Sequence, residues 1–166
     1  WQIDYKSSLS TALYMSIGRG SGYSGQGRTS ADRNMWKGTN YGVLNTTFRN
    51  PDGTFAYDKI QEMNAASPDG SRMIMSKSNN NHMWYGLLST YTNQISKSLE
   101  LSAGIDVRYY IGEHNNEIID LYDGKYYIDD DSRKNVKAEQ NAAAADPNWK
   151  YQKLQVGDKG EEIAAD

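Results

Sequence analysis

Between Leu99 and Ile111 the chain alternates without a break. Leu99, Leu101, Ala103, Ile105, Val107, Tyr109 and Ile111 occupy the odd positions. Glu100, Ser102, Gly104, Asp106, Arg108 and Tyr110 stand between them. A period of two sends successive side chains to opposite faces of a β-strand. The segment therefore predicts a strand with one apolar face and one polar, charged face. It outruns the usual strand of about 5–6 residues and is long enough for the roughly 9–11 tilted residues of a membrane-crossing barrel strand.

The stretch upstream, HMWYGLLSTYTNQI, alternates less cleanly. Met83, Tyr85, Leu87, Tyr91 and Ile95 share one face, with Trp84 and Leu88 on the nominally polar side. With residues 96–98 as the connection, Ile95 opposite Leu99 brings both apolar faces to one side, as register requires. The start of the chain repeats the plan. Trp1, Ile3 and Tyr5, then Leu9, Thr11, Leu13, Met15 and Ile17, form two alternating runs joined by Lys6-Ser7-Ser8, with Tyr5 expected opposite Leu9. Trp1 and Tyr5, and Trp84, Tyr85, Tyr109 and Tyr110, cluster near strand ends, as in the aromatic girdles of membrane barrels.

Two long segments of other character follow the hairpins. Gly18–Asn34 reads as Gly- and Ser-rich loop. Asn50-Pro51-Asp52-Gly53 and Ser67-Pro68-Asp69-Gly70 are turn signals. Residues 57–66 predict a short helix with Ile60 and Met63 on one side. Beyond Gly112, IIDLYDGKYYI predicts a hairpin turning at Asp123-Gly124. Asp131-Ser132 is expected to cap a helix running to Ala145, ended by Asp146-Pro147. The expected organisation is a barrel hairpin over 1–17, a long extracellular loop over 18–82, a second hairpin over 83–111 and a second long loop over 112–166. The fold class is thus all-β: a segment of an antiparallel up-and-down transmembrane β-barrel, about four strands in two hairpins, with partly helical loops.

Composition agrees that this is no ordinary soluble core. Only 37% of residues are hydrophobic and mean hydropathy is −0.82, against about 45–50% apolar in a typical domain. Yet 13 Tyr and 4 Trp argue against a solvated tail. The net charge of −3 and scattered cations give no basis for a nucleic-acid partner. There is no cysteine, hence no disulfide or thiolate chemistry. Trp1-Gln2-Ile3-Asp4 lacks the basic and apolar regions of a signal peptide, so an internal fragment of a longer protein is expected.

The stretches IDYKSSLSTALYMSIGRGSGYSGQG, NPDGTFAYDKIQEMN and NHMWYGLLSTYTNQISKSLELSAGIDVRYYIGEHNNEIIDLYDGKYYID resemble the barrel of TonB-dependent outer-membrane receptors of Bacteroidetes. The similarity runs to about Val156, is most specific from Asn81 to Asp129, and does not extend to the closing GDKGEEIAAD. It implies a barrel of about 22 strands with an N-terminal plug, in the bacterial outer membrane. It also implies import of a scarce glycan, peptide, siderophore or vitamin, driven by the proton-motive force through the TonB–ExbB–ExbD complex. That complex would act through parts of the receptor absent from this sequence. Outer-membrane lipids are an implied partner, and a surface lipoprotein partner stays open. No family functional residue maps onto this segment.

Chemistry-bearing residues are few. The glycines from Gly18 to Gly27 lack the Gly-Lys-Ser/Thr ending of a phosphate loop. His82 and His114, with Glu113 and Glu117 nearby in sequence, lack a third fixed metal ligand. Asp129, Asp130 and Asp131 do not have the spacing of a calcium loop with Asp120 or Asp123, and a solvated acidic turn explains them. Neither an enzyme, a metal site nor a cofactor is predicted. Tyr23, Trp36, Tyr41, Tyr126, Tyr127 and Trp149 are the candidate ligand-contacting residues of the loops. Glu100, Asp106 and Arg108 are the expected lumen-facing charges, with Asp106 and Arg108 as an ion pair. The rival reading is a soluble all-β surface module, lectin- or adhesin-like, with the same apolar face packed on a second sheet. A barrel that does not transport is a third.

Overall fold

A computed structural model describes residues 1–37 and 45–161. The chain is mainly antiparallel sheet. Its elements are β1 (Ser7–Gly27), α1 (Ser30–Lys37), α2 (Tyr57–Ala66), β2 (Met73–Ser96), β3 (Leu99–Asp120), α3 (Asp130–Arg133) and β4 (Lys159–Glu161), with 3₁₀ turns at Ala142–Ala145 and Trp149–Tyr151. The sheet order is β1-β2-β3-β4, and the sheet does not close. Two compact units divide the chain: a sheet unit, Trp1–Gly20 with Asn80–Glu113, and a mixed unit, Ser21–Asn79 with His114–Asp166. Among the described residues no helix is long and apolar enough to cross a membrane.

In the sheet unit one register governs β1 and β2. The Gln94 amide donates to the Lys6 carbonyl at 2.8 Å, and the hydroxyls of Thr11 and Ser89 meet at 2.9 Å. The Tyr14 ring covers Gly86, and the His82 ring covers Gly18, each leaving no room for a Cβ. All four contacts fit a single antiparallel offset that sets odd residues opposite odd. Across β2 and β3, Asn81 Nδ2 donates to Glu113 Oε2 at 3.2 Å, and Trp84 meets Tyr110 with ring centroids 4.7 Å apart. Both are the pairs that Ile95 opposite Leu99 puts face to face. The odd positions of all three strands therefore lie on one side, as alternation demands.

That odd side is open. Leu13 is 82% exposed, and Ile17, Ile95, Leu99, Ile105 and Val107 are each more than half exposed. The even side carries Tyr14, His82, Trp84, Tyr110 and the Asp106–Arg108 pair. Arg108 grips Asp106 through two hydrogen bonds of 3.1 and 2.7 Å.

The first predicted hairpin is corrected. Residues before Ser7 form one bridge, Gln2 with Ser8, not a strand. Asp4 Oδ1 accepts the amides of both Lys6 and Ser7 at 2.7 Å, which turns the chain earlier than Lys6-Ser7-Ser8. Leu9 then bonds Trp1 instead of facing Tyr5. The displacement is even, so Trp1 keeps the odd face. The second hairpin turns at Lys97 and Ser98, within the predicted connection over 96–98. Neither residue has a positive φ, which is why no glycine is needed there.

The long loop expected over 18–82 is also corrected. β1 continues through the glycines to Gly27, and β2 begins at Met73. Between them lies folded structure. Thr29 and Asp32 form a reciprocal cap at the start of α1: Thr29 Oγ1 accepts the Asp32 amide at 3.1 Å, and Asp32 Oδ2 accepts the Thr29 amide at 3.3 Å. The Trp36 ring lies against Gly25, and its Nε1 donates to the Gln26 carbonyl at 2.9 Å. Asn50-Pro51-Asp52-Gly53 makes the expected turn, closed by the Gly53 amide on Asn50 O and followed by Gly53 at φ +86°. The helix predicted over 57–66 is α2, with Ile60 fully buried.

The beginning of β2 is covered on both faces. Met73 joins Trp36, Phe48 and Ile60 in one core, and Ile74 joins Ile118, Leu121, Tyr127 and Leu154 in another. Adjacent strand residues point opposite ways, so one strand feeds two cores. Asn64 binds them together. Its Nδ2 donates to Met73 O at 2.7 Å and Leu121 O at 3.0 Å, and its Oδ1 accepts the amides of Arg72 and Met73.

The second predicted loop differs too. β3 runs on to Asp120, and β4 pairs with it antiparallel, Asn116 opposite Gly160. The turn comes one residue earlier than Asp123-Gly124. Tyr122 and Asp123 both have positive φ, and the Gly124 amide bonds Leu121 O at 3.1 Å, the geometry of a type I′ turn. Gly124 sits against Ser71, where a Cβ has no space. No return strand follows; Tyr127 instead exchanges two hydrogen bonds with Leu154. The helix expected from Asp131 to Ala145 is broken into α3 and a 3₁₀ turn. Arg133 is drawn to the Trp149 carbonyl at 2.9 Å, and Asn141 caps a new turn by accepting the Ala143 amide.

Asn64→Leu keeps the volume but strands two amides and two carbonyls in the core. Each such group costs about 1–3 kcal/mol. A loss of at least about 3 kcal/mol is expected in urea unfolding followed by tryptophan fluorescence; a loss under about 1 kcal/mol would show that the amide is not the tie between the cores.

Candidate functional site

The mixed unit carries a partly open cavity of about 370 Å³, within the range of about 300–1,000 Å³ common for small-molecule sites. Its apolar wall is built by Ile74 of β2, Ile118 of β3, Val136 and Leu154. The Tyr127–Leu154 bridge holds the last of these in place. Asp129, Arg133 and Trp149 also line it; Glu117 turns its carboxylate to Asn79, on the other face of β3, and Asp158, at the edge, is exposed.

Arg133 is 8% exposed. Its Nη1 donates to Trp149 O at 2.9 Å and to Gln152 Oε1 at 3.3 Å, and its guanidinium lies 4.4 Å from the Trp149 ring centre, a cation–π distance. Burial holds the guanidinium below its ordinary pKa, against the pull of Asp129 and Tyr127. Burial likewise raises the Asp129 carboxyl above the ordinary range. The Ser132 side chain, Arg133, the Ser132 amide and Arg33 oppose that rise in part. Tyr127 is pushed up strongly, by burial first and then by Asp129.

A charged cleft in the same unit fixes the segment that carries Asp129 and Arg133. Arg28 meets Asp130 at 3.5 Å, and Arg33 and Lys134 both grip Asp131. Arg72 holds the buried Asp32 by two hydrogen bonds of 3.1 and 2.6 Å. The half-exposed pairs are individually worth little. Asp32 is different, because its side chain is almost wholly enclosed, and a buried carboxylate left unpaired is costly.

The structure places the sequence-predicted residues unevenly. Tyr127 and Trp149 line the cavity. Tyr126 is half-buried, with its hydroxyl on Pro68 O at 3.2 Å and Lys153 over its ring. Tyr23 is exposed and not part of the cavity wall. Trp36 is a correction: it is 5% exposed, in edge-to-face contact with Phe55, and serves as core. Tyr41 lies outside the described residues. Glu100, Asp106 and Arg108 belong to the sheet unit, on one face of β3. His82 is stacked beside Tyr110. Among the described residues no group of three or more His, Asp or Glu is arranged to hold a metal ion. Arg133 and the cavity role of Asp129 were missed. The Asp-Asp-Asp-Ser-Arg run shows a helix start, but only tertiary contact turns those two residues inward. Thr29-Ser30-Ala31-Asp32, by contrast, carries a visible capping pattern.

Asp129 and Asp131 stand in one turn with opposite shifts. For Asp129 the folded pKa is the higher one. The ionised acid therefore opposes folding at neutral pH, and that cost fades as pH falls through its folded value toward the unfolded one. Asp131 is lowered by Lys134 first and then Arg33, so it contributes stability above the unfolded pKa and loses it as pH falls through the folded one. Asp129→Asn is expected to raise the melting temperature at pH 7, and Asp131→Asn to lower it. Both differences should shrink below about pH 4, as thermal unfolding across pH 3–7 will read; equal signs at pH 7 would refute the assignment.

No protein-family model, no curated protein and no solved structure matches this chain.

Proposed function

We propose that this chain forms part of the wall and surface region of a TonB-dependent transporter in the bacterial outer membrane. Such a protein imports a scarce nutrient with energy from the proton-motive force. The observation that carries the barrel half of this reading is the bare odd face of the sheet unit. Burying a Leu, Ile or Val side chain is worth about 1.5–3 kcal/mol, and a contiguous apolar face of that kind calls for a cover. Lipid supplies one without a second sheet. The even face, with the Asp106–Arg108 pair, glycines and hydroxyls, suits a wet lumen. The sequence resemblance supplies the transport half. TonB–ExbB–ExbD would act through the rest of the receptor, and the mixed unit would provide ligand-contacting surface.

The chain has no cysteine, so single cysteines report cleanly. Spin labels at residues 101 to 107, in the full-length protein in bilayers, are expected to alternate. Leu101, Ala103, Ile105 and Val107 should favour collision with oxygen, and Ser102, Gly104 and Asp106 with a water-soluble nickel chelate. A uniform water-accessible pattern, or extraction of the native protein without detergent, would favour the soluble module. Outer-membrane location with nutrient uptake unchanged in a strain lacking TonB would overturn transport and leave the barrel standing.

A further inference from the structure

We propose that the sheet unit fixes the surface of a lipid bilayer at one cross-strand level, between the row Ile17, Met83, Ile111 and the row Arg19, Asn81, Glu113, with the Arg19 guanidinium on a lipid phosphate. The two strand registers join β1, β2 and β3 into such rows. On the odd face Leu13, Leu87 and Val107 make one row, and Met15, Tyr85 and Tyr109 the next; all six border one shallow apolar depression. Ile17, Met83 and Ile111 follow, and then Arg19, Asn81 and Glu113. Apolar residues thus give way to polar ones at the same row on all three strands. Just inside that level stand two tyrosines. The Tyr85 hydroxyl lies on Met83 Sδ at 3.2 Å, so its polar tip is aimed toward the polar row, as in an interfacial aromatic. Just outside it, Asn81 donates to Glu113 at 3.2 Å. Arg19 is exposed and, among the described residues, has no carboxylate partner. A cation at the rim of an apolar face complements the phosphates at which a bilayer's headgroups begin.

The dimensions agree. At about 3.3 Å per residue, Leu99 to Ile111 is about 40 Å of strand, or about 28 Å of depth at a tilt of about 45°. Barrel walls carry an apolar band about 25 Å tall, in a hydrocarbon layer about 30 Å thick. The other limit of the band is the turn at Lys97 and Ser98. Tilt displaces the level on β1 and β3 by about 5 Å of strand relative to β2, which is less than the spacing of odd positions. A charge on the lipid face is costly at mid-depth and almost free at the interface, which accounts for where Arg19 and Glu113 stand. Polar residues of the odd face inside the band are bonded to one another. Thr11 meets Ser89 at 2.9 Å, and Asn93 donates to the Tyr91 hydroxyl at 2.7 Å. Lipid offers such groups no partner, whereas a second sheet or a second copy would.

This assignment rests on the barrel half of the proposed function and adds the depth at which the wall sits. Single spin-labelled cysteines are placed at odd positions 13–19, 81–87 and 107–113 of the full-length protein in vesicles of phosphatidylethanolamine and phosphatidylglycerol. The ratio of oxygen to nickel-chelate collision is expected to fall several-fold from 17 to 19, from 83 to 81 and from 111 to 113, within one odd position on each strand. A fall displaced by two or more odd positions on any strand would overturn the level and leave the barrel standing. Labels shielded from both reagents, or open to nickel throughout, would overturn both, in favour of a protein cover or a soluble module. In the same vesicles, carbon–phosphorus dipolar dephasing of arginine labelled at the guanidinium carbon is expected to lose one component in Arg19→Gln. Unchanged dephasing in that variant, with the label at 107 still favouring oxygen, would overturn the phosphate contact.

Discussion

Everything in the sheet unit depends on side-chain parity. A strand has two faces and a period of two. Once one hydrogen-bonded offset sets an odd residue opposite an odd residue, the whole strand is committed. Two such offsets, one on each side of β2, sort thirteen residues of β3 and the matching parts of β1 and β2 without any help from packing. The rings of Tyr14 and His82 reinforce the first offset. Each lies over a glycine directly across the β1–β2 pair, and a shift of one residue would carry the ring to the opposite face from its glycine. Such pairing of an aromatic ring with a glycine is a recognised device for pinning register. It does so where no buried core is present to select the register, which is the situation of a sheet whose apolar face is bare.

The mixed unit is stabilised on different principles. Its segments are short and carry many polar residues, so they cannot be ordered by alternation. Order comes from individual polar groups that are fully satisfied. Asn64 accepts two amides and donates to two carbonyls. That saturates its amide group as a donor and leaves no cheap rearrangement. Because the carbonyls belong to Met73 and Leu121, one side chain sets the spacing between α2, the start of β2 and the turn after β3. The cost of a left-handed Tyr122 is borne in this setting, where Leu121 O is already held by Asn64 and Ser71.

What was legible in the sequence follows from this difference. The strand over Leu99–Ile111 could be read because each residue carries its own share of the pattern. So could α2, from Ile60 and Met63, and the Asn50–Gly53 turn, from Pro and Gly. Even the misplaced turn near Trp1 left the apolar face correctly assigned, since an even displacement preserves parity. The extension of β1 through Gly18, Gly20 and Gly25 was not legible. Glycine there signals a loop by composition, whereas the structure uses Gly18 and Gly25 as sites where a ring lies on the backbone. The Ala-rich run misled for the reverse reason: local helix propensity is strong, but Arg133 and Asn141 make competing bonds. Tyr127 and Trp149, candidates by residue type alone, line the cavity. Trp36 was chosen on the same ground and is core, because residue type does not say which face is enclosed.

The cavity acids show how far this logic extends. At the charged cleft the half-exposed pairs of Asp130 and Asp131 with Arg28, Arg33 and Lys134 contribute little each, whereas the enclosed Asp32 depends on Arg72. At the cavity Arg133 and Arg33 offset the burial of Asp129 only in part, and Asp158 stays exposed. A neutral side chain at position 129 would remove that burial cost, since Ser132, Arg133 and Arg33 compensate it only in part; the stability of this unit therefore depends on how each acid is placed and not on how many cations the unit carries.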